Sequence, residues 1–274
     1  MLKERIKSTP LIGHLTVSLY SKYLRYRNRK FLSKNKTLRD AKRGARCFII
    51  ATGPSIKTQD LKPLKGEFCI SVSNFFLHPD FNVIKPEFHL FVASHPPVTE
   101  EQYGAWFKDA EQRFPPGQKV LISITDKHIV ERYGAFKNND VFYYSLGHKP
   151  LKNSIDFSKD IPMMQTSAQT AMYLALYLGT KEMVLLGCDH DWLLHLGETR
   201  HFYNEKQSVL TQKGYNEWFE EDLEVQFSSH VHLWQVYKQI RAYCSKRNIP
   251  IYNCTPTSLL DVFPKKKLEE VLQK

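Results

Sequence analysis

Arg46-Cys47-Phe48-Ile49-Ile50-Ala51-Thr52-Gly53-Pro54-Ser55 is the stretch from which the fold is read. Its apolar run is continuous rather than alternating, as expected of a strand buried on both faces of a parallel sheet. The run ends in a bend. Gly53 lets the backbone turn tightly and approach a neighbour closely, Pro54 fixes φ, and Ser55 is placed to cap a short helix. Free N–H groups at such a bend form an anion site. No Gly-Lys-Ser/Thr follows and no Gly-x-Gly-x-x-Gly is present, so neither nucleotide fingerprint applies. A plain strand-to-helix turn is the competing reading.

Outward from this stretch the same rhythm continues. Further strands are expected at 68–73, 88–93, 119–125, 141–145 and 182–187, with a last one in IPIYNCTP (249–256). Between them, 100–114 reads as a helix stopped by Pro115, Pro116 and Gly117. SAQTAMYLALYL (167–178) reads as an apolar helix capped by Thr166 or Ser167 and ended by Gly179. Strands alternating with helices predict an α/β fold, a doubly wound, Rossmann-like, mostly parallel sheet spanning 46–274. Residues 190–228 interrupt the pattern with charged, histidine and aromatic residues and read as a lid insertion before a helix at 230–247.

Charge separates the chain into two parts. Of 39 Lys and Arg and 28 Asp and Glu, residues 1–46 hold 14 and two, which leaves 25 basic and 26 acidic side chains for the rest. The body is neutral, unlike a nucleic-acid binder that spreads positive charge over its fold. In the arm, residues 1–45, Ile12, Leu15, Leu19, Tyr23 and Tyr26 recur at helical spacing beside Lys22, Arg25, Arg27, Arg29 and Lys30. Such a basic amphipathic helix suits an anionic membrane surface, or equally a docked helix with a solvated basic face. Leu11 to Leu24 is interrupted by polar residues and reads as neither a membrane span nor a secretory signal. Five cysteines, odd in number and without a CxxC pair, fit a reducing compartment. The expected location is cytoplasmic, peripheral at the inner membrane.

Candidate chemistry gathers at the expected strand ends, where open α/β sheets bind ligands. Thr52 and Gly53, Ser73-Asn74, Ser94-His95-Pro96 and Gly187-Cys188-Asp189-His190-Asp191 would meet at one edge. The Asp-His-Asp cluster suits either a divalent ion or, through Asp189, a hydrogen-bonding anchor. His195, His201, Tyr203 and Tyr215 lie in the insertion, and His230 and His232 follow it. Imidazole titrates near neutrality, which makes these histidines candidate general bases, and Tyr203 can donate to a phosphate oxygen.

Phe48 to Ser55, Val72 to Phe76, Thr166 to Asp189 and Cys254 to Leu260 together resemble the bacterial surface-glycan sialyltransferases. Their wider superfamily includes motility accessory factors and a 6-hydroxymethylpterin pyrophosphokinase. Thr52 stands where that family has an asparagine, and Met164 and Gln165 where it has an arginine. The resemblance implies a CMP-sugar lying along Gly53, Ser55, Asn74, Thr166 and Ser167, with His230 or His232 as base. The full expected donor site is Thr52, Gly53, Pro54, Ser55, Asn74, His95, Thr166, Ser167, Asp189 and Tyr203. The expected activity is a glycosyltransferase moving sialic acid or a related keto-sugar acid to a lipopolysaccharide or capsule glycan, with no resident metal or cofactor. Two alternatives remain: a pyrophosphokinase holding Mg²⁺ and ATP through Asp189 and Asp191, and a non-catalytic membrane-associated module.

Overall fold

The computed structural model describes residues 26–96, 98–195, 198, 200–204 and 222–273. Ile12, Leu15, Leu19, Tyr23 and Tyr215, and with them most of the arm and the 205–221 part of the lid, lie outside the described residues.

Among the described residues, eight parallel strands form one sheet: β1 (Arg46–Ile50), β2 (Cys69–Val72), β3 (Phe88–Leu90), β4 (Lys119–Ser123), β5 (Asp140–Leu146), β6 (Asp160–Ile161), β7 (Glu182–Leu186) and β8 (Ile251–Asn253). Their spatial order is β6-β5-β4-β3-β2-β1-β7-β8. The α/β, doubly wound sheet expected from the sequence is therefore present. After β1 the chain winds outward to β6, then returns to lay β7 against the opposite side of β1, pairing Arg46 with Glu182 and Ile50 with Leu186. The winding direction reverses between β1 and β7, which opens a crevice at the carboxyl ends of those two strands.

Period-two alternation in β1 feeds two separate cores. Cys47, Ile49 and Ala51 face one side with Ile70, Val72, Met183 and Leu185, while Phe48 and Ile50 face the other with Cys69, Val184 and Leu186. Two helices cover the first side, α5 (Ser167–Tyr177) and α6 (Leu223–Ser245), the latter through Leu233, Val236, Tyr237 and Ile240. On the second side lie α2 (Phe81–Ile84), α3 (Glu100–Arg113), α4 (Lys127–Tyr133) and α7 (Leu268–Leu272). All five cysteines are free and buried.

Two boundaries differ from expectation. Helix α6 begins at Leu223, seven residues before His230, because Asp222 accepts from the Val225 amide and caps it. The lid is shortened accordingly and ends before 222 rather than at 228. Leu223, Val225, Phe227 and Val231 are exposed, so the apolar residues of the first turns are out of phase with the buried face and hide the helical period. The described end of the basic arm packs onto the sheet. In α1 (Arg29–Lys34) Leu32 is fully buried; after it the Asn35 side-chain amide donates to the Tyr143 and Phe157 carbonyls at 2.6 Å, and the Lys42 backbone amide donates to the Leu178 carbonyl at 2.8 Å. No helix among the described residues is long and apolar enough to cross a membrane.

Candidate active site

The glycine bend forms as the sequence suggests, but its polar groups are spent internally. The Gly53 amide donates to the Gly187 carbonyl at 2.9 Å, and Gly53 has an ordinary φ of −62°. Glycine is required here by proximity: a Cβ would meet the Asp189 carboxylate and lie 2.5 Å from the Gly187 carbonyl oxygen. Pro54 opens a 3₁₀ turn, Pro54–Lys57. The Ser55 amide donates to Asp189 Oδ1 at 3.1 Å and the Ser55 hydroxyl to Oδ2 at 2.8 Å. Asp189 thus anchors the bend, the second of its two sequence readings. Burial raises its pKa above the usual carboxylate range, while the two Ser55 hydrogen bonds oppose that rise.

A cavity of about 350 Å³ occupies the crevice. Thr52, Gly53, Ser73, Thr166, Ser167, Asp189, His190, Asp191, Arg200 and His230 are among its walls. The ends of β1, β2 and β7, the start of α5 and the second turn of α6 therefore meet at one place. Thr166 caps α5 by accepting from the Gln169 amide, which leaves the Ser167 and Ala168 amides without intrahelical acceptors at the cavity wall.

Several expected site residues lie elsewhere. Pro54 and Ser55 sit behind the cavity wall, Ser55 tied to Asp189. Asn74 turns into the core, where its Oδ1 accepts from the Trp106 indole at 2.5 Å, and Ser73 faces the cavity in its place with φ at +54°. His95 is exposed on the loop after β3, and Ser94 beside it bonds to Asp126. Tyr203 stacks on His201 and packs edge-on against Phe202 rather than lining the cavity. His232 is exposed and off the cavity because two residues advance a helix by about 200°, to the far side from His230.

His230 is 7% exposed, and its Nδ1 lies 2.8 Å from the Gln226 carbonyl. A carbonyl can only accept, so Nδ1 carries a proton, and in the neutral ring Nε2 bears the lone pair. Nε2 is buried and has no partner among the described residues. Trp192 packs edge-on at 4.9 Å and Trp234 stacks at 6.3 Å, fixing the ring. His190, also on the wall, shares a 2.8 Å hydrogen bond between Nε2 and the Tyr237 hydroxyl, and its Nδ1 is buried without a partner among the described residues. Desolvation lowers its pKa to about 3, so it is neutral at ordinary pH.

The sequence reading passed over Arg200. Its Nη2 donates to Asp191 Oδ2 at 2.6 Å, and it leads into a strap whose Phe202 amide donates to the Thr52 carbonyl at 3.0 Å. Phe202 fastens the strap by packing on Phe75 and His78. The only signal in the sequence is a cation inside an otherwise mixed lid, and no spacing ties it to Asp191. Among the described residues, no group of three or more His, Cys, Asp or Glu side chains is arranged to hold a metal ion.

No protein-family model matches the sequence, and no curated protein matches it either. Among solved structures the chain is similar to the sialyltransferase CstII from Campylobacter jejuni in complex with CMP-3FNeuAc, at 16% identity over 81% of this chain and 86% of that one, with a TM-score of 0.47. It is also similar to the monofunctional α-2,3-sialyltransferase Cst-I from Campylobacter jejuni, at 14% identity over 81% and 80% of the two chains, again with a TM-score of 0.47.

Proposed function

We propose that this protein is a glycosyltransferase that moves a sugar from a nucleotide-activated donor to a glycan hydroxyl, with His230 as its general base. The observation that carries the proposal is the state of His230. Its Nδ1–H is held by a backbone carbonyl and its Nε2 is left without a partner among the described residues, beside a cavity at the switch point of the sheet. In the reaction Nε2 takes the proton of the acceptor hydroxyl while that oxygen bonds to the anomeric carbon. The bond from that carbon to the phosphate oxygen breaks, and the nucleotide leaves as its monophosphate. Charge developing on the phosphate is met by the Ser167 and Ala168 amides at the start of α5. Following the sequence resemblance, the donor is a CMP-activated keto-sugar acid and the acceptor a lipopolysaccharide or capsule glycan. The basic arm would hold the catalyst against the anionic membrane that carries such an acceptor.

Calorimetry with CMP and UMP, followed by a transfer assay with CMP-N-acetylneuraminic acid and a terminal galactoside, tests the assignment. His230→Ala is expected to lower turnover by about 10²–10⁴-fold while nucleotide binding persists, and His232→Ala to leave turnover unchanged. A chain that binds no nucleotide removes the proposal. Mg²⁺-dependent ATP binding that survives His230→Ala would assign pyrophosphokinase chemistry instead.

A further inference from the structure

An anionic ligand entering this cavity meets the carboxylates of Asp189, Asp191 and Glu198, and among the described wall residues one arginine, Arg200. Asp189 is engaged with Ser55, and no other Lys or Arg stands among the described wall residues, so the cation that can answer an incoming anion is Arg200. It is positioned to do so. Asp191, with a side chain only 6% exposed, takes one guanidinium N–H through Oδ2, and His195 Nε2 lies 3.8 Å from the same oxygen. The Arg200 Nε is buried and has no acceptor among the described residues. A guanidinium presents its donors in a rigid plane, and a buried, charged donor left unsatisfied is unfavourable. An oxyanion supplies the missing acceptor. A second buried orphan on the same wall is His190 Nδ1, likewise without a partner among the described residues.

We propose that Arg200 is the oxyanion receptor of the cavity and that Asp191 is its positioning residue. The proposal rests on the glycosyltransferase reading only for the identity of the ligand. A donor of the expected kind offers two oxyanions, the nucleotide phosphate and the carboxylate of a sugar acid, and both satisfy Nε in the same way. Calorimetry with CMP, cytidine, N-acetylneuraminic acid and inorganic phosphate on the wild type, Arg200→Ala, Arg200→Lys and Asp191→Asn separates them. If Arg200 reads the phosphate, Arg200→Ala weakens CMP at least tenfold and leaves cytidine unchanged. If it reads the carboxylate, the loss appears with N-acetylneuraminic acid. Arg200→Lys, which keeps the charge but not the planar donors, recovers part of the affinity and serves as the folded control. Asp191→Asn weakens the same ligand, and the double variant with Arg200→Ala is no weaker than Arg200→Ala alone, as required when one residue acts through the other. Wild-type and Arg200→Ala affinities that agree for every anion overturn the proposal, as does a wild type that binds none of them. Arg200-dependent binding of inorganic phosphate by a protein that binds no nucleotide would retire the glycosyltransferase and leave Arg200 in place.

Discussion

Gly53 shows how a residue read for one reason is needed for another. Its place after an apolar strand marks it in the sequence, and the expectation was an open bend whose amides grip a ligand. In the structure the bend closes on its own sheet, because Asp189 and the Gly187 carbonyl approach from β7 through pairing that no local pattern encodes. Adding a methyl group at Gly53 therefore forces Asp189 off Ser55. Gly53→Ala is expected to cost about 1–3 kcal/mol of stability, read as a lower urea midpoint, and to weaken nucleotide binding with it. The histidines divide in a similar way. His230 and His232 are equivalent in the sequence, two residues apart beside the lid. Their separation waits on the rotation of α6, which buries one and exposes the other.

At the scale of elements, α5 was the most legible part of the site. Thr166-Ser167 before a continuous apolar run gives a cap, a direction and a buried helix, and the Gln169 amide does bond to the Thr166 hydroxyl. Replacing Thr166 by Val, which keeps the shape and removes the cap, is expected to cost about 1 kcal/mol in chemical denaturation. Thr166→Ser should retain most of that stability. Helix α6 was legible only in its second half. Its first two turns carry exposed Leu223, Val225 and Phe227, and the reading of those residues as lid followed from an apolar phase that does not match the core. Asp222 is the signal that was available, since an Asp followed by Leu-Glu-Val is a sound helix start. Arg200 illustrates the opposite limit. Its partner Asp191 belongs to the β7 end, and the strap is held by Phe202 against residues more than 120 positions away, Phe75 and His78.

At the scale of the whole molecule, burial of neutral imidazoles ties stability to pH. His89 and His190 are both enclosed by the fold, and desolvation lowers each pKa from 6.5 to about 3. Between those values the unfolded chain takes up protons that the folded chain refuses. The stability is fully present above about pH 6.5 and is lost as pH falls toward 3, by about 1.4 kcal/mol per pH unit for each histidine. Urea denaturation at pH 7.5, 6, 5 and 4 should show midpoints that fall progressively, and a midpoint constant down to pH 4 would contradict the neutral burial of both rings. The sequence by itself determined the parallel α/β sheet, the glycine bend after β1 and the capped start of α5, because strand hydrophobicity, turn chemistry and capping act within a few residues. Tertiary structure alone decided that the bend is closed by Asp189, that His230 rather than His232 meets the cavity, and that Arg200 joins it. Each of these depends on the order in which distant strands pair and on the rotation of a packed helix, and neither quantity is written in local sequence.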